Sequence, residues 1–532
     1  MKIPPGGGIL DIIIFSGSGV LNFKADRISQ GNTMYGMSQY LDFFHITYFS
    51  ITIFLIELVT VIHVLMNRHN EPQSAILWML LVFYLPVLGI AMYIVFGINR
   101  VNTRGMQIKL ANELIHTQAK KSLHKAFARH YKEQKKNLFN GENGEYPGFL
   151  SALDRLLPDT LPLKGNSLEL LRDGTTAYPR MLDEISKAVS SIHLQSFIIM
   201  NDHVGREILE ALEAKAKEGV EVKVLYDRFG SMKAGFLFKS YGRKYENFQI
   251  HPFAPLFSFR MPWTVQLRNH RKVLVIDGKT AFIGGINISS DNDSRWSRKD
   301  KYIHDLHSIV RGPAVGELQY SFIRDWFCAT SAHLDEILKE KYFPILSPRG
   351  NSVVRVVGSG PGQAFEATEK AFMAAVATAK RHIWIMTPYF VPEKSFWKAL
   401  CTTVSKGVEI KIIVPKKNNH WYVQYASQSL YPALLESGIR IFEKEGSFSH
   451  AKAMLVDGEW AYMGSSNCDV RSFKLNFELD FAVFNGSFIN DLHSQFLDEI
   501  SKSEEVRLED LMDKKFFRIL LENFCSLLTP VL

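Results

Sequence analysis

His270-Arg271-Lys272-Val273-Leu274-Val275-Ile276-Asp277 is echoed later in the chain by His450-Ala451-Lys452-Ala453-Met454-Leu455-Val456-Asp457. In each copy Lys stands two residues after His and Asp seven after it, and Gly284 and Asn287, or Gly464 and Asn467, follow at identical offsets. One His-x-Lys with a later Asp is common by chance. Two copies in register, each running through an apolar segment into Gly-Gly or Gly-Ser and on to Asn, point to a duplicated structural unit.

Residues two apart on an extended strand face the same side, so His270 and Lys272 are expected side by side, as are His450 and Lys452. The apolar residues that follow predict buried strands. If the two halves pack face to face, two imidazoles and two ammonium groups converge on one cleft. That set suits a phosphodiester: a neutral His attacks phosphorus while a protonated one gives its proton to the leaving alcohol. A free imidazole titrates near ~6.5, so modest shifts allow opposite protonation states at neutral pH. The two lysines, with Asn287 and Asn467, are expected to hold the non-bridging phosphate oxygens. Taken singly, either copy reads as well as a His at a strand edge beside a solvated Lys; the pair in register does not. His and Asp are also metal-ligand types, but two ammonium groups in one cleft repel a cation, and no metal is expected.

The two His-x-Lys-x4-Asp stretches, followed by Gly284-Gly285-Ile286-Asn287 and Gly464-Ser465-Ser466-Asn467, resemble the phospholipase D superfamily and, within it, the bacterial cardiolipin synthase family. The closer likeness is carried by Gly312-Pro313-Ala314-Val315, Ser359-Gly360-Pro361, Thr387-Pro388-Tyr389-Phe390, Asp469-Val470-Arg471-Ser472-Phe473, Asn476-Phe477-Glu478-Leu479 and the ending Leu528-Thr529-Pro530-Val531-Leu532. It runs from about residue 43 to the C-terminus. The resemblance implies two α/β halves packed as a pseudo-dimer around one site. It makes His270 the nucleophile and His450 the general acid, with Lys272, Asp277, Lys452 and Asp457 completing the catalytic set; the two aspartates either orient groups or stabilise the fold. Each His also needs a carboxylate on its second nitrogen. Asp305 and Glu478, on or near the strands after the motifs, are expected to orient the histidines, although their offsets from His270 and His450 differ.

The implied reaction places the phosphodiester of phosphatidylglycerol between the histidines. Glycerol leaves, a phosphatidyl-histidine remains, and a second phosphatidylglycerol takes the phosphatidyl group to give cardiolipin. One ester bond replaces another, so no cofactor is demanded. Water as acceptor would give a phospholipase D, and serine a phosphatidylserine synthase. The catalytic set does not separate these; the membrane segments and the closer likeness favour the synthase. A nucleic-acid phosphodiesterase predicts a basic groove in the catalytic halves, and a non-enzymatic scaffold would tolerate loss of a His or Lys that neither copy has lost.

At 532 residues the chain has room for two or three domains. Four scattered cysteines without a Cys-x-x-Cys suggest a reducing compartment, with neither a disulfide scaffold nor a zinc site. The net charge of +8 is local: Arg100 to Lys136 holds ten basic residues and two acidic ones, leaving the remainder formally neutral. No nucleic-acid partner is therefore expected, and no obligate protein partner is evident.

Five regions follow in order. Residues 1–42 read as an extension. Phe43 to Met66 and the charge-free Ala75 to Ile98 read as a two-helix transmembrane hairpin, each helix roughly 36 Å long. Glu57, inside the first span, suggests a helix–helix contact. Residues 99–164 form a basic juxtamembrane helix and linker suited to anionic headgroups. With one basic residue, Arg68, in the short loop, the positive-inside bias puts both termini and the catalytic part in the cytoplasm, on a bacterial inner membrane. Residues 165–348 and 349–532 are the two halves. In the first, strands are expected at Leu168–Leu171, Ile192–Met200 and Val220–Tyr226, with helices at Pro179–Val189 and Arg206–Lys217. The second repeats that order, with strands at Val353–Val357, His382–Met386 and Val408–Val414. The Pro- and aromatic-rich His251 to Asn269 reads as a loop, and Gly358-Ser359-Gly360-Pro361-Gly362 as a turn rather than a nucleotide fingerprint.

Overall fold

The computed structural model describes residues 14–16, 19–21, 33–68, 72–97, 148–157, 160–242, 244–253, 267–330, 332–360, 366–527 and 529. The basic segment expected after residue 98, most of the N-terminal extension, the loop over 254–266 and part of the turn after Ser359 lie outside them. The chain divides into two units, Met1–Arg100 and Val101–Leu532.

The first unit is built on α1 (Thr33–Arg68). Its stretch Thr47–Asn67 is long and apolar enough to cross a membrane, the one such helix among the described residues. Tyr48, Phe49, Phe54, Leu55, Val59 and Ile62 all stand exposed, as they must on a helix solvated by lipid. The second expected span is not one helix. The chain runs as α2 (Pro72–Tyr84), breaks at Leu85 (φ −131°, ψ 69°), resumes as α3 (Pro86–Met92) and ends in a π turn at Tyr93–Gly97. Pro86 is the cause: it lacks an N–H and drives the preceding residue out of the helical region. Tyr93 closes the unit, its hydroxyl 2.9 Å from His63 Nδ1 and its ring edge-on to Trp78.

The second unit is organised by one fifteen-stranded sheet. Its first half supplies β1 (Leu163–Leu171), β2 (Ser191–Ser196), β3 (Glu221–Tyr226), β4 (Phe248–Pro252), β5 (Val273–Ile276), β6 (Thr280–Gly284) and β7 (His307–Arg311). The second half supplies β8 (Ser352–Ser359), β9 (His382–Met386), β10 (Glu409–Pro415), β11 (Arg440–Lys444), β12 (Ala453–Val456), β13 (Trp460–Gly464) and β14 (Glu478–Phe484), with β15 (Ser503–Glu505) at the edge. Reading outward from the middle, β1-β7-β6-β5-β2-β3-β4 on one side mirrors β8-β14-β13-β12-β9-β10-β11 on the other. In each half the second, third and fourth strands run parallel and the rest pair antiparallel. β1 and β8 join the halves antiparallel, so a pseudo-twofold axis passes between them.

Among the described residues the unit's helices of eight or more residues are α4 (Gly148–Leu156), α5 (Gly174–Ser186), α6 (His203–Lys217), α7 (Ala314–Thr330), α8 (Ala367–Thr378), α9 (Lys394–Val404), α10 (Trp421–Gln428), α11 (Ser487–Ser501) and α12 (Phe516–Ser526). Strand alternation assigns the layers. Leu274, Ile276 and Phe282 join the core under α5 and α6, whereas Val273, Val275, Ala281 and Ile283 join a core shared with Ala453, Leu455, Ala461 and Met463 of the other half. Both faces of the sheet are buried, which is why its strands are nearly continuous apolar runs.

The halves are also locked by charge. Arg271, wholly buried, pairs with Asp325 at 2.5 Å and donates from Nε to the Glu478 carbonyl and from Nη2 to the Ser359 carbonyl, both at 3.0 Å. Asp325 in turn accepts from Gln195 at 2.7 Å.

Candidate active site

His270 and Lys272 precede β5, and His450 and Lys452 precede β12, in extended lead-ins rather than within the strands themselves. Each lead-in is held by the opposite half. Asn269 bridges to Phe477, and the His270 N–H donates to the Phe477 carbonyl at 2.9 Å. Phe448–Ser449 pairs with Ile303–His304, and the His450 N–H donates to the His304 carbonyl at 2.7 Å. The residues just after those two acceptors are Glu478 and Asp305.

The carboxylates are therefore exchanged across the pseudo-dyad. Glu478, from the second half, lies 3.1 Å from His270 Nδ1; Asp305, from the first, lies 2.7 Å from His450 Nδ1. Their unequal spacing in the sequence hides a structural equivalence. Gly284 pairs with His307 and Gly464 with Asp480, so Asp305 and Glu478 each stand two residues ahead of matching positions. The connection from Asn287 to Asp305 is simply longer than that from Asn467 to Glu478.

Among the described residues His270 Nδ1 faces only acceptors, the Glu478 carboxylate and the Ser465 carbonyl at 3.0 Å. Its proton must therefore sit on Nδ1, which leaves a lone pair on Nε2. His450 Nδ1 has Asp305 at 2.7 Å and Lys452 Nζ at 2.6 Å. It cannot donate to one and accept from the other; the carboxylate is the stronger partner, and Lys452 also donates to it at 3.2 Å. Lys272 donates to the His270 carbonyl at 2.6 Å, and Lys452 makes the same bond to the His450 carbonyl.

Burial governs the electrostatics. It pushes His450 down to about 3, with Lys452 adding to the effect and Asp305 opposing it. It lowers His270 as well, Glu478 opposing and Lys272 assisting. It brings Lys272 down to about 7. Asp305 and Glu478 stay ionised despite their own burial: Lys452 and His450 hold the first well below the usual carboxylate range, and His270 and Lys272 lower the second. Both imidazoles are thus neutral in the cleft at pH 7, where the motif alone suggested opposite states. A phosphodiester anion entering between them would favour the protonated form of the ring that does not attack.

Asp277 and Asp457 do not join this cluster; of the two roles expected of them, orienting groups or stabilising the fold, their contacts are of the second kind. Asp277 accepts from the backbone N–H groups of Val189, Ser190 and Ser191, and Asp457 from those of Lys380, Arg381 and His382. Both also take left-handed backbone angles (φ 52° and 56°) in the turn after the motif strand, each before a glycine. Asp tolerates that region, and Asp-Gly is a turn signature present in the sequence from the start. Asn287 is likewise engaged, its Oδ1 accepting from the Ile198 N–H at 3.1 Å. Asn467 is buried, its N–H on Ser472 Oγ and its Oδ1 without a partner among the described residues.

Several contributors escaped the motif reading. Ser465 Oγ donates to Glu478 Oε2 at 2.5 Å. Its counterpart Gly285 must be glycine, because a Cβ there would lie 2.1 Å from Asp305 Oδ1. The Gly-Gly and Gly-Ser difference between the repeats thus follows from which carboxylate each faces. Phe197 meets His270 edge to face at 5.0 Å and Tyr389 meets His450 at 5.8 Å, rings supplied by the loops after β2 and β9. Among the described residues no group of three or more His, Cys, Asp or Glu is placed to hold a metal ion.

With this geometry in view, comparison with known proteins is direct. The family described as "Cardiolipin synthase, PLD-like domain" matches residues 181–326 and 372–500, and "Phospholipase_D-nuclease N-terminal" matches residues 57–97. A cardiolipin synthase of Halalkalibacterium halodurans is 33% identical over 88% of this chain and 90% of its own length. The major cardiolipin synthase of Bacillus subtilis is 31% identical over 90% of this chain and 98% of its own. The crystal structure of phosphatidylserine synthase from Haemophilus influenzae Rd KW20 shares the fold, with a TM-score of 0.57 at 15% identity, over 72% of this chain and 100% of that one. Two interlocked α/β halves around one paired-histidine cleft are the phospholipase D arrangement. The chain belongs to the cardiolipin synthase family, whose members are membrane-associated phosphatidyltransferases.

Two outcomes separate the working carboxylates from the structural ones. Glu478→Gln removes the charge that raises the His270 pKa, so the acid limb of the kcat/KM profile moves to lower pH while turnover falls; a pH series on the purified protein reads both. Asp277→Ala leaves three backbone donors without their acceptor and is expected to cost about 1–3 kcal/mol, read as a lower urea midpoint, with turnover of the folded fraction near wild type.

Proposed function

We propose that the cleft transfers a phosphatidyl group from one phosphatidylglycerol to another, making cardiolipin and releasing glycerol. The observation that carries this reading is the pair of imidazoles, each held by the other half's carboxylate, together with family membership over most of the chain.

The near symmetry is broken at the rings. Among the described residues no ammonium hydrogen-bonds the His270 ring, whose lone pair lies on Nε2 and makes it the nucleophile; His450 is the acid and then the base. His270 Nε2 attacks phosphorus, the bond from phosphorus to the glycerol oxygen breaks, and that oxygen takes the proton from His450. The second phosphatidylglycerol then gives its hydroxyl proton back to His450, its oxygen attacks phosphorus, and the bond to Nε2 breaks. Lys272 and Lys452, with Asn467, offset the charge that develops on the non-bridging oxygens. Asp305 and Glu478 hold the rings and stabilise each imidazolium as it forms. Nothing in this exchange calls for ATP, a metal or a protein partner.

The apolar N-terminal unit anchors this chemistry at the bacterial inner membrane. α1 crosses, the kinked segment from α2 to α3 returns the chain, and the basic stretch after Gly97 keeps the catalytic unit on the cytoplasmic side.

Purified full-length protein in mixed micelles with phosphatidylglycerol alone should yield cardiolipin and glycerol in equal amounts; phosphatidic acid as the main product would mark a hydrolase instead. His270→Ala and His450→Ala are each expected to fall below about a thousandth of wild-type turnover. A reporter fused to the C-terminus should be active only in the cytoplasm.

A further inference from the structure

The histidine cleft accounts for one phosphate, yet the proposed exchange brings two together. The accepting phosphatidylglycerol carries a phosphodiester of its own, one glycerol away from the hydroxyl that attacks. Water and serine, the acceptors that the catalytic set leaves open, carry none. A second anion subsite beside the histidines is therefore what would separate the three reactions.

Arg268 stands where such a subsite belongs. The extended lead-in to β5 alternates: Asn269 and Arg271 both turn to Asp325, at 3.3 and 2.5 Å, so Arg268 shares the other side with His270 and Lys272. The register is fixed, because the Arg268 carbonyl accepts the Phe477 N–H at 2.8 Å and the Phe477 carbonyl accepts the His270 N–H at 2.9 Å. The other repeat shows where a side chain at this position goes. Its counterpart there is Phe448, whose ring lies 5.7 Å from that of His450. Same-face residues on a strand stand about 6.5–7 Å apart, a span that one glycerol between two phosphates can bridge.

The half-buried Arg268 guanidinium is open to an anion. Among the described residues it makes no hydrogen bond or ion pair; it lies over the Phe229 ring, 4.4 Å from its centre. The neighbouring acid, Asp227, is occupied by the backbone N–H groups of Phe229, Gly230 and Asn269 at 2.9, 3.2 and 3.1 Å. A second guanidinium is close by: burial lowers the Arg268 pKa, Asp227 opposes the shift, and Arg471 adds to it. Arg471 comes from the other half, on the short helix Val470–Lys474 whose Ser472 Oγ accepts the Asn467 N–H. Two neighbouring guanidinium groups, one held on an aromatic ring, suit the oxygens of a phosphodiester. Phe448 at the equivalent place offers no such charge.

We infer that Arg268, with Arg471 beside it, binds the phosphodiester of the second phosphatidylglycerol and so selects a phosphatidylated acceptor over water or a free alcohol. The inference deepens the proposed reaction and rests on it.

Full-length protein in mixed micelles is given phosphatidylglycerol and radiolabelled glycerol, and two products are followed together: cardiolipin, and label entering phosphatidylglycerol by reversal of the first step. Both share the phosphatidyl-histidine and both histidines, but only the first has an acceptor with a phosphate. Arg268→Gln should lower the ratio of cardiolipin formed to glycerol exchanged by about tenfold. Arg268→Lys, which keeps the charge and loses the planar fork, should recover part of it. A ratio unchanged in Arg268→Gln overturns the subsite: equal losses would assign Arg268 to general headgroup attraction or to support of His270. Should Arg268→Gln form neither product, the same ratio in Arg268→Lys decides, and a wild-type value there overturns the subsite. Wild-type protein that exchanges glycerol and makes no cardiolipin would refute the proposed reaction and the subsite with it. Wild-type synthesis with an unselective Arg268→Gln refutes the subsite alone.

Discussion

The carboxylate of Glu478 reaching His270 from one half, and that of Asp305 reaching His450 from the other, tie the geometry of the site to the packing of the whole catalytic unit. Neither half can orient its own histidine. The backbone repeats the exchange, since each lead-in pairs with the segment that carries the carboxylate for its ring. Because the pairs are buried, their strength depends on excluding water, and water is excluded only when the shared core of β5, β6, β12 and β13 is closed. Arg271 adds a third link, a buried cation that holds Asp325 and the Glu478 carbonyl together.

Burial has a chemical consequence beyond rigidity. It lowers both imidazoles and brings Lys272 down to about 7, because a buried site disfavours their charged forms. A phosphodiester supplies the negative charge that protonation then answers. In the proposed reaction the charge of the phosphodiester itself favours the protonated acid.

The departures from twofold symmetry are small and local. Gly285 clears space for Asp305 where Ser465 donates to Glu478; Arg271 bridges the halves where Ala451 only packs; Lys452 touches the ring of its histidine where Lys272 does not. Each alters one hydrogen bond around an otherwise duplicated frame. Together they make the surroundings of the two imidazoles unequal.

Repetition, residue type and hydropathy were legible directly. The paired motifs announced two α/β halves, their histidines and lysines, and a long apolar α1, because strand alternation and helix length are local properties that a one-dimensional pattern records. Pro86 was equally visible, and it breaks a run that hydropathy alone treats as continuous. The chain itself could not reveal the partners. Glu478 serves His270 and Asp305 serves His450 across more than a hundred residues, in an order opposite to the one sequence proximity suggests. Asp277 and Asp457, conspicuous in both motifs, turned out to hold backbone N–H groups at the far end of the strand. The sequence determined which chemical groups were present and how often; only the closed tertiary structure decided which of them meet, because hydrogen bonds and desolvation act over a few ångströms of space and not along the chain.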